Sequence, residues 1–119
     1  MPVILTALNA SFIVQSSTGS RTIAVDDYFT DFYTTAMKDN EILTEIRVPK
    51  MNGAGWSFQK FNRRAQDWAI VGVAAWRNGS ESGVGLVNMG ATPVLATSVA
   101  SAIASGASVA DAAEQAAAD

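Results

Sequence analysis

Residues 55–76 combine two strand-like segments with a short charged connection between them. Aromatic, polar and charged side chains alternate over residues 56–62, as in a strand with one buried face. Residues 69–76 form an unbroken apolar run, which is typical of a strand covered on both faces. The connection at residues 63–67 is too brief for a helix of ordinary length. The sequence therefore predicts two strands that present a charged loop, the kind of segment that often carries function.

The size and charge of the chain limit the classes of function it can have. A chain of 119 residues is one domain, and 49% hydrophobic with 16% charged residues excludes intrinsic disorder. The net charge of −3 and the pI near 4.7 give no electrostatic basis for binding nucleic acid or an anionic membrane. No apolar run reaches the roughly 18 residues of a membrane span, and the first ten residues lack a signal peptide's positive start. We expect a cytoplasmic protein.

The chain contains neither cysteine nor histidine. This excludes thiol chemistry, the commonest metal ligand and the usual general base at neutral pH, so the sequence predicts no metal site and no catalytic residue. Several glycines follow the apolar run, namely Gly72, Gly83, Gly85 and Gly90. They match neither G-x-G-x-x-G nor a Walker A pattern, and no phosphate loop is expected there.

The first third of the chain predicts a hairpin followed by an aromatic link. Residues 11–16 alternate, a Ser-Thr-Gly-Ser turn follows, and apolar residues return at Ile23 and Val25. Asp26 and Asp27 then introduce aromatic residues whose spacing fits one helical turn packed on the sheet. The adjacent carboxylates are more typical of a turn or an N-cap than of metal ligands.

Residues 42–48 alternate as a strand that ends at Pro49. Ile42 and Ile46 share one face, so Leu43 must share the other. If the first pair faces the helices, Leu43 faces away from them, on the same side as the loop at residues 62–70.

The last third predicts a returning strand and two helices. Residues 84–89 should pair antiparallel with residues 70–76. Thr92 is the expected N-cap of a helix ended by Gly106, and Ser108 the cap of a second one. An apolar stripe on the first helix consists of Leu95, Val99 and Ile103. The predicted fold is α+β: an antiparallel sheet of three to four strands within residues 42–89, helices from residues 92–118 packed on one face, and an N-terminal β-hairpin.

Three motifs in a fixed order carry a resemblance to a known family: RTIAVDDYF at residues 21–29, DNEILTEIRVP at residues 39–49 and RRAQDWA at residues 63–69. Together they resemble the FAD-binding medium subunit of the molybdenum hydroxylases, the carbon monoxide dehydrogenase and xanthine dehydrogenase type. The resemblance implies that residues 1–35 are a remnant of the flavin-binding subdomain. Residues 36–119 would form the flavoprotein C-terminal-like domain without its last helix, and the main glycine-rich flavin segments would lie upstream.

The resemblance also implies a role beside the flavin. In relatives the loop that matches residues 62–70 lies beside the flavin ring and shapes access of the electron acceptor, and Arg64 helps to pin it. Gln66 departs from relatives that carry an acid there. The cofactor-binding residues implied are Leu43, Lys60, Arg64, Gln66 and Asp67. The parent enzyme would pass electrons from iron–sulfur centres through FAD to an acceptor, with a molybdenum-bearing large subunit and an iron–sulfur small subunit as partners.

An alternative interpretation is a standalone, non-catalytic module that pairs with itself or with another subunit. A sheet and hairpin without the upstream flavin-binding elements would leave apolar faces to be covered, which favours a homo-oligomer. In either case we expect these 119 residues alone to be inactive. We also expect them to hold no FAD tightly, because no glycine-rich turn opens a helix that could take the pyrophosphate.

Overall fold

A computed structural model describes all 119 residues as short helices and antiparallel strands, which confirms the predicted α+β class. The elements in chain order are α1 (Pro2–Ala7), β1 (Ser11–Ser16), β2 (Gly19–Ala24), α2 (Val25–Tyr28), β3 (Phe29–Asp31), β4 (Thr34–Thr35), β5 (Ile42–Arg47), β6 (Gly55–Phe61), β7 (Val71–Asn78), β8 (Glu81–Val87), β9 (Val94–Leu95), α3 (Thr97–Ala104), α4 (Val109–Glu114) and a final 3₁₀ turn (Gln115–Ala118). The strands form three sheets, in the orders β2-β1-β5, β3-β4 and β6-β7-β8-β9. None of the helices is long and apolar enough to cross a membrane.

The first sheet is built on the predicted hairpin and has its own core. Phe12 and Val14 of the central strand β1 are fully buried beneath side chains from α1 and α2. The ring of Tyr28, from the predicted helical turn, stacks on Phe12 with centroids 3.8 Å apart. Phe29 packs edge-on against both rings. The aromatic link therefore packs on the sheet as predicted, up to Phe29.

Strand β5 belongs to this first sheet, whereas the sequence placed it beside the strands of residues 55–89. It pairs antiparallel with β1, with Leu43 opposite the buried Val14. Because directly opposite residues point to the same face, Leu43 packs half-buried against the hairpin core, while Ile42 is 71% exposed. A register shift between Ile13 and Val14 places Leu43 and Ile46 opposite Val14 and Phe12, which share one face, so the predicted strict alternation is interrupted within β5. The prediction that Leu43 faces away from the chain's own core is also wrong. The partner strand, not the strand's own pattern, decides which face is covered.

The second large sheet is covered by helices on both faces over its middle strands. Ala74 of β7 packs against Val3 and Ala7 of α1. The alternate face of β7 and β8 packs against α3 and α4, through Val84, Leu86 and Val99 among others. The C-terminal helices thus lie on one face as predicted, and α1 covers the other, an element that the sequence pattern did not reveal.

Two glycines of β8 allow α1 to lie close to the sheet. A Cβ at Gly85 would come within 2.5 Å of the carbonyl oxygen of Val3, and one at Gly83 would collide with the carbonyl oxygen of Ala7 and the Trp76 indole. The indole N–H of Trp76 donates to the same Ala7 oxygen at 2.5 Å. These glycines are therefore packing positions for the α1 backbone.

The first C-terminal helix begins at Thr97, five residues after the predicted cap at Thr92. Residues 94 and 95 instead form β9 beside β8, and the N–H of Ala96 continues this pairing to the oxygen of Val84 at 2.8 Å. Leu95 therefore leaves the predicted apolar stripe, whereas Val99 and Ile103 pack against the sheet as expected.

The ends of the two C-terminal helices match the sequence more closely. Gly106, with φ of +89°, follows the end of α3, and the Ser108 hydroxyl accepts the N–H of Asp111 at 3.2 Å as a true N-cap. The start of α3 has Ala96 at its cap position, which offers no side-chain acceptor. The Asp119 carboxylate takes that place and accepts from the Ser98 N–H at 3.1 Å.

Candidate functional site

The connection between β6 and β7 is a loop closed by its own hydrogen bonds. The side-chain amide of Asn62 donates to the carbonyl oxygen of Arg64. The N–H of Asp67 donates to the same oxygen at 2.9 Å, and Arg64 Nε bonds the Asp67 carboxylate at 3.2 Å. At the base, the N–H of Ile70 donates to the Phe61 oxygen at 2.7 Å. The side-chain amide of Asn88, just after β8, also donates to the Ala69 oxygen. The loop is therefore held mainly by its own bonds, with one from a neighbouring segment.

The charges of this loop face solvent. The Arg64 side chain is 85% exposed and that of Asp67 is 31% exposed, so their ion pair orients the loop and contributes little to stability. Gln66 is exposed at the turn between them, and Lys60 is exposed near the end of β6. With the exposed Arg63, three cationic groups and one carboxylate thus lie on one short, ordered surface.

An open groove of about 580 Å³ lies between this end of β6 and the two-stranded sheet β3-β4. One wall holds Phe58, Lys60 and Trp68, and the other holds Phe32 and Tyr33. Trp68 is 91% exposed, and Tyr33 is fully exposed at a positive φ of 52°. Aromatic faces beside an ammonium group suit a flat ligand that carries negative or delocalised charge.

The structure brings together four of the five residues that the resemblance implied. Lys60 lines the groove, and Arg64, Gln66 and Asp67 form the loop at its end of the sheet. Leu43 lies elsewhere, because β5 belongs to the other large sheet and its side chain packs on that sheet's core.

The exposed aromatic wall was missed by the sequence analysis, which treated the whole aromatic link as packed. The sequence does contain a signal for this exposure: turn-forming side chains lie on both sides of the two aromatic residues. The Asp31 carboxylate accepts the N–H of Phe32 at 2.7 Å, and the Thr34 hydroxyl donates to the Phe32 oxygen at 2.9 Å. Such side chains favour a turn, which points Phe32 and Tyr33 outward.

A buried carboxylate fixes the segment that leads into β5, and it too was missed. Arg21 bonds Glu41 through two nitrogens at 2.8 and 2.9 Å and also donates to the Ala36 oxygen at 2.7 Å. The N–H of Lys38 donates to Glu41 at 2.7 Å. The bonds from Arg21, and then that from Lys38, lower the pKa of Glu41 to about 2. The clamp orders residues 36–41, and so the start of the strand that carries Leu43.

Comparison with known proteins identifies the source of this architecture. Residues 1–51 match the family model of the FAD binding domain in molybdopterin dehydrogenase. The chain is 33% identical over 99 residues to the carbon monoxide dehydrogenase medium chain of Hydrogenophaga pseudoflava, covering 82% of this chain and 34% of that one. It is 43% identical over 74 residues to the glyceraldehyde dehydrogenase medium chain of Sulfolobus acidocaldarius, covering 62% of this chain and 26% of that one.

The solved structures agree with the sequence relatives. A chain of the Hydrogenophaga pseudoflava carbon monoxide dehydrogenase that lacks the Mo-pyranopterin moiety superposes with a TM-score of 0.85 at 31% identity, over 98% of this chain and 42% of that chain. The chain thus spans about a third of its curated relatives and less than half of the solved one. Over nearly all of its 119 residues, the chain corresponds in fold, and over most of them in sequence, to part of an FAD-binding medium subunit of the molybdenum hydroxylase family.

Proposed function

We propose that these residues form the flavin- and acceptor-facing part of an FAD-containing electron-transfer subunit in a molybdenum hydroxylase. The observation that carries the proposal is the groove beside the ordered loop at residues 62–70, where Lys60 lies among exposed aromatic rings. The match of residues 1–51 to an FAD binding domain supports the proposal for the wall that carries Phe32 and Tyr33. The boundary between a flavin-binding remnant at residues 1–35 and a C-terminal-like domain at residues 36–119 is part of the same proposal.

The residues present fit one part of FAD and not another. The aromatic walls and Lys60 suit the edge of an isoalloxazine ring. No helix start here suits the pyrophosphate, because α1 begins at Pro2, the Ser98 N–H of α3 is bonded to Asp119, and Ser108 caps α4. The chain would therefore contribute to the ring side of a flavin site whose phosphate-binding part lies outside these 119 residues.

Bound FAD would supply the electron transfer, and the protein's share is position and electrostatics. Lys60 places a positive charge at the groove wall. The ion pair between Arg64 and Asp67 keeps the loop in one conformation. The opening through which an electron acceptor would approach the flavin therefore keeps a constant width. Gln66 is neutral, so the loop opposes negative charge on the flavin ring less than a loop with a carboxylate at this position would. Leu43 could reach a flavin only with the exposed part of its half-buried side chain.

The partners follow from the same proposal. The relatives are medium chains of a carbon monoxide dehydrogenase and of a glyceraldehyde dehydrogenase. We infer association with a molybdenum-bearing large subunit and an iron–sulfur small subunit in the cytoplasm. The substrate of such an enzyme would be determined by the large subunit, not by these residues.

The test uses the natural gene product that contains these residues. Its visible spectrum should show flavin absorbance, and Gln66→Glu should lower the flavin midpoint potential because a carboxylate disfavours electron density on the ring. Gln115→Glu is the matched control: it adds the same charge at an exposed position on the final 3₁₀ turn and should leave the potential unchanged. Equal shifts in both variants, or a colourless protein, would contradict the proposal.

A further inference from the structure

The chain exposes more surface than its mass requires. Its accessible area is 7911 Å², whereas a folded monomer of 12.5 kDa exposes about 6,200 Å². Its radius of gyration is 15.6 Å, against about 13.5 Å for a compact domain of this length. The difference of roughly 1,700 Å² exceeds the ~800 Å² that each partner buries in an interface of standard size. The exposed surface is therefore large enough to hold an interface of standard size.

Strand β6 is the strand with the least cover. It pairs with β7 on one side and has no strand on the other, and all seven of its residues are exposed. Trp56 is 80% exposed and Phe61 66% exposed. Exposed edge strands with large apolar side chains pair readily with another strand, and Lys60 is the only charge in β6 that opposes this.

We propose that β6 pairs antiparallel with β6 of a second copy of this chain, with the two-fold axis at Phe58. The strand spans Gly55–Phe61, so Phe58 is its middle residue and this register pairs all seven residues of each copy. Trp56 of one copy then lies opposite Lys60 of the other, a favourable cation–π pair, and Ser57 lies opposite Gln59. No two like charges meet across the axis.

The same register brings an apolar groove beside β6 next to the matching groove of the second copy. Trp56 and Phe58 lie on the face of the sheet that carries α1, since they pair with Trp76 and Ala74 of β7. A groove of about 240 Å³ runs between these rings and Ile4 of α1, with Leu8 just after the helix. With the axis perpendicular to the sheet, the second copy brings its own Phe58 onto this face. The two grooves then lie side by side beneath two α1 helices.

This inference does not depend on the proposed flavin role, because it rests on the free edge of β6 and on the side-chain pairs that the register about Phe58 brings together. The two uses meet at Lys60, which lines the flavin-facing groove and also pairs with Trp56 in the dimer. A copy that pairs through β6 therefore cannot offer Lys60 fully to a flavin.

Cross-linking tests the register, because the chain has no cysteine of its own. Phe58→Cys places two thiols directly opposite, with Cα atoms about 4.5 to 5.5 Å apart, within the ~4.4 to 6.8 Å range of a disulfide. Mild oxidation should convert most of this variant to a covalent dimer. Trp56→Cys is the control, because its two thiols lie four residues apart along the strands, more than about 13 Å. Equal cross-linking of both variants, or none in either, would overturn the proposed register.

A charge exchange tests the pairing without a covalent bond. Phe58→Glu and Phe58→Lys should each be monomeric by light scattering, because like charges then meet at the axis, and an equimolar mixture should form a heterodimer. Circular dichroism checks that each variant is folded. Val109→Glu, on the exposed face of α4, should dimerise like the unmodified chain. A monomeric unmodified chain at micromolar concentrations, or a Phe58→Glu variant that still dimerises, would refute the proposal.

Discussion

Strands β1 and β6 are similar in sequence and opposite in environment. Both alternate aromatic or apolar side chains with polar ones, yet Phe12 of β1 is 2% exposed whereas Phe58 of β6 is 43% exposed. β1 is the central strand of its sheet and lies beneath α1 and α2, whereas β6 is an edge strand. Alternation therefore predicts a strand, but only the neighbouring elements decide whether its apolar side chains are buried.

The position of α1 explains much of this difference. The glycines of β8 allow the helix to lie over β7 and β8, and the Trp76 indole bonds its last residue. The helix is six residues long, so it covers the middle of the sheet and leaves β6 beyond its edge. The sheet around β1 is thus covered by the chain itself, whereas the sheet that ends at β6 has an exposed apolar edge.

The largest expected effect separates the two strands directly. Phe12→Ala should lower the free energy of unfolding by about 3–5 kcal/mol, because it removes a buried ring stacked on Tyr28. Phe61→Ala, at a 66% exposed ring, should change it by less than about 0.5 kcal/mol. Urea unfolding of both variants checks the contrast, and similar losses would mean that β6 is covered by the chain itself.

The next prediction concerns the contact between α1 and the sheet. Gly85→Ala should destabilise the protein by about 1–3 kcal/mol, because the new methyl group meets the Val3 backbone and neither strand nor helix can yield cheaply. Gly55→Ala is the matched control in β6, where nothing lies within 4 Å of the added carbon. Thermal unfolding should show a lower midpoint for the first variant only. A neutral Gly85→Ala would mean that α1 does not lie on β8.

A smaller effect is expected at the cap of α3. Asp119→Ala should cost about 1 kcal/mol, the usual loss for a helix cap, and Asp39→Ala on an exposed loop should cost little. Burial opposes ionisation of Asp119, but hydrogen bonds from Thr97 and Ser98 outweigh it and keep its pKa below the ordinary value. Because this pKa is lowered, ionised Asp119 contributes fully to the free energy of unfolding above the ordinary pKa of an aspartate. Its contribution decreases as the pH falls below that value. Chemical unfolding at neutral and acidic pH checks both points; equal stability of the two variants would contradict the cap.

The smallest expected effect at neutral pH is at Glu41, in the hairpin half of the chain. The bonds from Arg21 lower the pKa of Glu41 to about 2 in the folded protein. At any pH above the pKa that Glu41 has in the unfolded chain, ionised Glu41 therefore stabilises the fold. This contribution should decrease as the pH falls from about 5 towards 2 and should be absent in Glu41→Gln. NMR titration of the carboxyl carbon measures the pKa directly. An ordinary value near 4.5 would mean that the clamp is open in solution.

Local patterns sufficed for the elements that the chain specifies locally. The hairpin turn, the pairing of β7 with β8, the end of α3 near Gly106 and the cap at Ser108 all follow from turn and capping residues. The partner of β5, the helix at residues 2–7 and the strand at residues 94–95 depend on contacts between distant segments. The six residues of α1 are too few to show a helical period, and the two-residue strand β9 exists only because β8 lies beside it.

The candidate site divides in the same way. The loop that carries Arg64, Gln66 and Asp67 closes on itself, so its sequence was enough to predict an ordered charged connection. The wall formed by Phe32 and Tyr33 meets Lys60 only through the tertiary arrangement, and Leu43 was misplaced because its strand joined the other sheet. Residues close in sequence could be grouped in advance, whereas residues joined by topology could not.

Hydrogen exchange measured on the unmodified chain at several concentrations compares β1 and β6 in one experiment. The amides of Ser11–Ser16 should be protected equally at every concentration, because their partners belong to the same chain. The outward amides of Gly55–Phe61 should exchange rapidly in dilute solution and become protected as the concentration rises. Strong protection of both strands at every concentration would contradict the account, because it would show that β6 is already covered within a single copy.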